Sequence, residues 1–467
     1  MVPYFPKQVS YRAYITYAAA LTIVSLFYFR YAMRFEFVLF GIVSVLCFFY
    51  FSSQWTVTSL KADKKAFVKE LFLISLAIRV VWVVFSYYYY INATGQPFEY
   101  ASADAIGYHE GAEWISQRSF SEIYQHYFGN VVGVSDLGYI FYLSLLYKLI
   151  GPNIIVARLI KATLSAFSVV LIYRLSVRTF GEETAKMAGI MTALMPNLII
   201  YCGYHLKETE MLFLIVAFLE RMDYLLRSKK IYFWDVLIPS LLAVSMFFFR
   251  TVLGAAAIFS FASAILFSSA PTLKKGWRRA ALIGWGVLGL LIVSGGTIVT
   301  EIEGFWEGRN ESVLNKRAEQ TIRGNRWAQY ATGSVMAPMV VVLPFATMID
   351  VDEQYGQQEK HGGNFIRNFM GFFAAIAIYE AFRRKKWRDF SLIGSFVIAY
   401  LGVVSLSGFS NSERFLLPGL PCLIMMWAYG ISALRKQTYR FLNPWCYVVV
   451  LMEVAWAYFK LGSRGLF

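Results

Sequence analysis

The chain has 467 residues, 58% of them hydrophobic, with a mean hydropathy of +0.52. Asp, Glu, Lys and Arg make up only 16%, where a soluble globular chain carries about a quarter. This excludes a water-soluble enzyme, a disordered chain and a disulfide-stapled secreted domain. A bilayer core about 30 Å thick takes about 20 apolar residues per helix, so the length allows about a dozen spans plus loops. The composition predicts a polytopic α-helical membrane protein. The net charge of +15, from 44 Lys+Arg against 29 Asp+Glu, fits basic residues retained at cytoplasmic helix ends better than a nucleic-acid partner. Cys47, Cys202, Cys422 and Cys446 have no CxxC spacing, so neither a disulfide framework nor a thiolate metal site is expected.

In chain order, Lys7 and Arg12 precede an apolar run without a small-residue cleavage site, which reads as an uncleaved first span. Apolar runs of spanning length follow at 13–30, 35–52, 69–91, 154–178, 186–204, 208–226, 233–249, 252–270, 280–300, 363–382, 390–407, 415–433 and 441–460. The expectation is a bundle of about 13 transmembrane helices. Residues 1–60 are expected to form an N-terminal two-helix hairpin and 61–300 a transmembrane module with a first outer loop at 92–153. Residues 301–362 form an outer loop region, and 363–467 carry the last helices. Lys61, Lys64 and Lys65, then Arg174, Arg178 and Lys186, then Arg227, Lys229 and Lys230 mark alternate connections as cytoplasmic. Lys274, Lys275, Arg278 and Arg279, then Arg383 to Lys386, then Arg435, Lys436 and Arg440 continue the pattern. It sets the N-terminus inside and the C-terminus outside. Counting 137–150 or 335–349 as spans would invert later basic clusters, so both are predicted to be juxtamembrane elements on the outer face.

Polar residues gather outside. The segment 92–136 holds Glu99, Asp104, Glu110, Glu113, Glu122 and Asp136 against a single Arg118. Asp104 opens a short amphipathic stretch and reads either as a helix N-cap or as a carboxylate held at the membrane surface to take a proton from an attacking hydroxyl. Tyr108, His109 and Glu110, just beyond it, are candidate acceptor or sugar contacts. Lys207-Glu208, at an outer helix boundary, is either a solvated pair or a site where Lys207 meets a phosphate while Glu208 faces Asp104. Arg158, Arg250 and Arg414 sit at outer helix ends. Each could snorkel alone, but converging they would hold a donor phosphate, because guanidinium matches phosphate oxygens in a bidentate way. Arg79 lies mid-span and is expected to pair within the bundle.

The run Ser102-Ala-Asp104-Ala-Ile-Gly-Tyr108-His109, then Gly138-Tyr139 opening a stretch that ends at Leu149-Ile150-Gly151, resembles the GT-C glycosyltransferases. So do Ala157-Arg158-Leu159, Tyr173-Arg174, Thr179-Phe180-Gly181, Pro196 and Lys207-Glu208, in that order. Glu413-Arg414-Phe415-Leu-Leu-Pro418 is similar to a charged segment near the end of many such proteins. The resemblance is to the branch holding protein O-mannosyltransferases and lipid A aminoarabinose transferases; it covers about 69–226, loosely 227–440, and none of the first sixty residues. It implies inverting transfer of a sugar from a polyprenyl-phosphate donor to an acceptor hydroxyl of a glycan, lipid or protein. Asp104 matches the family's catalytic aspartate and Glu208 its second acidic position, with Lys207 beside it. Ala105 replaces the second acid of the mannosyltransferase doublet, and no soluble C-terminal domain is expected from these 467 residues, so acceptor and metal requirement do not carry over.

Rival expectations are an O-antigen-type polymerase or ligase using Arg309, Arg317, Arg323 and Arg326, and a lipid-linked sugar transporter or flippase. An assembly scaffold would not need acids and cations converging outside. No cofactor is required by any motif, although a divalent metal bridging Asp104 and Glu208 to a donor phosphate is chemically reasonable. His109, His126 and His205 show no zinc spacing. The expected setting is a bacterial inner membrane with the site facing outward.

Overall fold

The computed structural model describes residues 2–119, 121–123, 137–228, 230–267, 345–351, 354–406 and 413–466. Among the described residues the chain is all-helical, with one isolated β-bridge between Ala32 and Ile349. The expected span at 280–300 and the four arginines of 301–334 lie outside the described residues, as does His126.

The first three expected spans form α1 (Lys7–Phe27), α2 (Phe35–Ser59) and α3 (Lys64–Thr94). Asp63 caps α3 by accepting the Lys65 N–H at 3.0 Å, and Gly95 ends it at φ 76°. Next along the chain come α4 (Ala103–Ser116) and α5 (Leu137–Ile150). The latter has the 14 residues of an element too short to span, as expected for 137–150. Of the second juxtamembrane segment only 345–349 is described; it is non-helical and buried. Next are α6 (Ile154–Phe180), α7 (Glu182–Leu194), α8 (Pro196–Ile200), α9 (Glu208–Arg227), α10 (Phe233–Phe249) and α11 (Thr251–Phe267). The C-terminal part holds α12 (Tyr355–Glu359), α13 (His361–Arg383), α14 (Ser391–Leu406), a 3-10 segment Glu413–Gly419, α15 (Leu420–Ser432), α16 (Lys436–Tyr439) and α17 (Leu442–Gly462).

Five helical stretches among these are long and apolar enough to cross a membrane: α2, α6, α13, Glu413–Ser432 and Lys436–Gly462. The remaining expected spans are shorter, more polar or outside the described residues. Along α2, Phe35, Leu39, Val43, Leu46 and Tyr50 are all exposed, while Phe37, Gly41, Val45, Phe48 and Phe49 face inward. Large apolar side chains repeating on an outward helical face suit contact with lipid, not water.

Close helix crossings depend on small residues. Gly41 on α2 and Gly362 on α13 meet so nearly that a Cβ on Gly362 would stand 2.9 Å from the Gly41 Cα. Gly430 on α15 lies against the Phe373 carbonyl of α13 in the same way. Helix α1 packs along α17, so the first and last helices of the chain lie side by side.

The expected span 186–204 is broken. Pro196 has no N–H to offer and excludes regular helix before it, so α7 stops at Leu194 and α8 restarts at Pro196. Arg79, fully buried on α3, fills the break: Nη1 donates to the Ala193 carbonyl at 3.1 Å and Nη2 to the Thr192 carbonyl at 3.4 Å. Its other bonds go to Ser165 Oγ at 2.7 Å, Ser75 Oγ at 2.7 Å and the Ser75 carbonyl at 3.1 Å. Arg79 therefore pairs within the bundle, with carbonyls and hydroxyls in place of a carboxylate.

Candidate functional site

Four elements converge at one end of the bundle. Asp104 is the second residue of α4, whose N-cap position belongs to Ser102, so its carboxylate is not the cap. Lys207 and Glu208 start α9 after the turn-rich segment 201–207. Arg250 ends α10, and Arg414 belongs to the 3-10 segment before α15. Arg414 Nη1 donates to Asp104 Oδ2, and its Nε stands 3.8 Å from Glu208 Oε1. Arg250 Nη2 approaches the same Glu208 oxygen at 3.9 Å. Asp104, Arg414, Glu208 and Arg250 thus form a chain of alternating charge. Both guanidiniums lie on the Phe415 ring, Arg250 at 4.2 Å and Arg414 at 4.9 Å from its centroid.

Depth differs along this chain. The Asp104 side chain is 47% exposed and that of Arg414 28%, whereas Glu208 is 1% exposed. Neither Glu208 carboxylate oxygen receives a hydrogen bond, and Arg250 Nη1 has no hydrogen-bond partner. Buried polar atoms in this state are costly, by about 1–3 kcal/mol each, unless something supplies their partners. Lys207 is buried too: Nζ donates to the Phe249 carbonyl at 3.0 Å and lies 5.9 Å from the centre of the Tyr108 ring. Burial pulls its ammonium down to about 7, Arg250 adds to the effect and Glu208 opposes it. The solvated reading of Lys207-Glu208 therefore does not hold: both side chains are inside.

The other expected residues are placed as follows. Tyr108 joins the cluster through Lys207. His109 turns the other way, its Nδ1 hydrogen-bonding the Tyr147 hydroxyl at 2.8 Å and its Nε2 4.0 Å from Glu113. Glu110 is exposed. Arg158 does not join: fully buried on α6, it donates to the Pro97 carbonyl at 2.7 Å and faces Glu99 at 3.7 Å. One turn on, Lys161 donates to the Tyr204 carbonyl at 2.8 Å and to the Leu206 carbonyl, and lies 3.7 Å from Glu210. Lys161 thus holds the segment that presents Lys207 and Glu208. His205 in that segment bonds Tyr147 at 3.1 Å, and burial with Lys161 nearby keeps its imidazole well below its usual range.

Sequence reasoning missed an interior anchor. Glu413, next to Arg414, points inward and accepts from the amides of Asn197 and Asn364, the latter at 3.1 Å. Lys360 and Arg367 stand 3.9 Å away on opposite oxygens. Arg367 gave the available signal, a charge about one turn into an apolar run.

Among the described residues no group of three His, Cys, Asp or Glu side chains could hold a metal ion. The two carboxylates of the site, Asp104 and Glu208, both meet Arg414.

The fold and its exposed apolar faces define an α-helical membrane protein with an acid–cation cluster at one end of the bundle. No protein-family model matches the chain, and no curated protein matches it.

Proposed function

We propose that the chain is a glycosyltransferase that moves a sugar from a polyprenyl-phosphate donor to an acceptor hydroxyl, with inversion, at the outer membrane surface. The observation carrying this reading is the buried Glu208 carboxylate, without hydrogen bonds and bracketed by two guanidiniums, beside the half-exposed Asp104. Glu208 suits sugar hydroxyls, which donate to a carboxylate, while Arg250, Arg414 and Lys207 suit an anion. With Lys207 protonated, three cations face two carboxylates, and the one excess positive charge matches a phosphodiester monoanion.

In this reading the donor phosphate draws Arg414 toward itself and releases Asp104. Asp104 takes the proton of the acceptor hydroxyl as its oxygen attacks the anomeric carbon. The bond from that carbon to the phosphate oxygen breaks with its electron pair leaving on the phosphate, where the three cations stabilise the growing charge. One displacement inverts the configuration. The prenyl tail stays in the bilayer and the phosphate at the helix ends.

The test is release of free polyprenyl phosphate in detergent from a panel of polyprenyl-phosphate sugars, with acceptors supplied. Wild type is expected to release it from one donor and folded Asp104→Asn from none. Full turnover by that variant, or no release from any donor by folded wild type, rejects the reading.

A further inference from the structure

Far from the acid–cation cluster, the first turns of α1 and the short α16 enclose a groove of about 600 Å³ lined by Lys7, Gln8, Tyr11, Arg12, Ile15 and Tyr439. The chain on both sides is one-signed. No acidic residue occurs in 1–35 or in 414–452, while Lys7, Arg12, Arg435, Lys436 and Arg440 do. Among the described residues neither Lys7 nor Arg12 forms an ion pair; Arg435 is held by Glu380 at 3.4 Å. The first turn of α1 has no acid and no side-chain cap, so its leading N–H groups add to the positive potential.

The order of side chains along α1 is specific. Lys7, Tyr11 and Ile15 follow at i, i+4 and i+8, so they share one face, about 6 Å apart in height. Tyr11 is 70% and Ile15 54% exposed. A cation, then a phenol, then an aliphatic side chain reproduces the polarity profile of a lipid leaflet from headgroup to acyl region. Arg12 stands beside this ladder, on the row begun by Gln8. A soluble phosphate would use the cations but leave the exposed Ile15 in water, whereas a lipid uses both.

We propose that this groove binds the headgroup of an anionic phospholipid, with Lys7 and Arg12 on its phosphate, the tyrosines at glycerol depth and an acyl chain along Ile15. The helix ends meeting there are those the basic-loop pattern assigns to the cytoplasmic side, where anionic lipid is recognised by basic pockets between helices. The site is independent of sugar transfer and would give the first helix a role of its own.

The full chain, stripped of lipid in detergent, is titrated with short-chain phosphatidylglycerol, phosphatidylcholine and glycerol phosphate, and bound ligand is read by native mass spectrometry. Phosphatidylglycerol is expected to bind, with the other two at least about tenfold weaker. Lys7→Gln with Arg12→Gln is expected to weaken phosphatidylglycerol by about 30-fold, from about 1 kcal/mol per basic residue. Lys64→Gln with Lys65→Gln, exposed basic positions on the same side, is expected to change nothing. All four side chains are exposed, so unfolding temperature should be unchanged throughout. Equal binding of the two lipids, equal loss in both double variants, or glycerol phosphate binding as tightly as the lipid would each overturn the proposal.

Discussion

Lys207 offers a pH experiment in which two effects of one group run in opposite directions. Its ammonium titrates at about 7 in the folded protein because burial removes its hydration and Arg250 repels it, while Glu208 and Asp104 hold it up. The charged fraction then falls from about nine-tenths at pH 6 to about one-tenth at pH 8 and about one-hundredth at pH 9. A phosphodiester donor keeps a single charge over that range. If the bound phosphate requires the ammonium, donor affinity falls about tenfold between pH 6 and 8 and again between pH 8 and 9. Stability moves the other way. The unfolded lysine titrates at 10.5 and binds more protons than the folded one between about 7 and 10.5, so stability rises with pH across that window. Weakening affinity together with rising unfolding temperature therefore cannot come from loss of fold. The assay is donor binding by fluorescence anisotropy with a short-chain polyprenyl-phosphate sugar, at constant ionic strength. Lys207→Arg keeps the charge and should flatten the profile, and Lys207→Met should bind weakly at every pH. A flat wild-type profile, or the same slope in Lys207→Met, refutes the role given to Lys207.

Arg414→Ala is expected to lower sugar transfer by about 100-fold or more, measured as turnover at saturating donor, because it removes a cation needed as the phosphate leaves. Arg158→Ala should act differently, costing about 3 kcal/mol of stability by stranding Glu99 in the interior, seen as a lowered unfolding temperature. Gly430→Ala should cost about 2 kcal/mol, since its new methyl group meets the Phe373 carbonyl and the helices must part; thermal unfolding reads this too. Arg79→Met should also destabilise, by about 2 kcal/mol, as the Thr192 and Ala193 carbonyls lose their buried donors, and Arg79→Lys should recover part of the loss.

Much of the architecture was legible because lipid imposes long apolar runs: α2, α6, α13 and α17 lie where such runs predict them. Asp104, Glu208, Arg250 and Arg414 were legible for a related reason, being charges at helix ends in a chain otherwise sparing with them. Position along a helix, however, gives height and not direction. Arg158 was expected at the donor phosphate from its height, yet Arg158, Lys161, Ser165 and Ser168 recur at i, i+3, i+7 and i+10 and all face inward. That polar stripe was the available signal, because the polar face of a membrane helix turns to the bundle. The partnership of Arg79 with the Pro196 break was not legible. It joins residues more than a hundred positions apart, through backbone carbonyls that any sequence would provide.

Glu413 and Arg414 are covalent neighbours with opposite obligations, one tied to Asn197 and Asn364 in the interior and the other reaching Asp104 at the rim. The segment's position is therefore set by a residue that need not meet a ligand. Residue 414 can change its chemistry while the backbone beneath it stays moored, so under the proposed function preference for one anionic substrate over another would change through a single side chain. A change at 413 would instead slacken the mooring that holds the whole segment in place. Under that reading, substrate preference and site integrity rest on separate side chains, one residue apart.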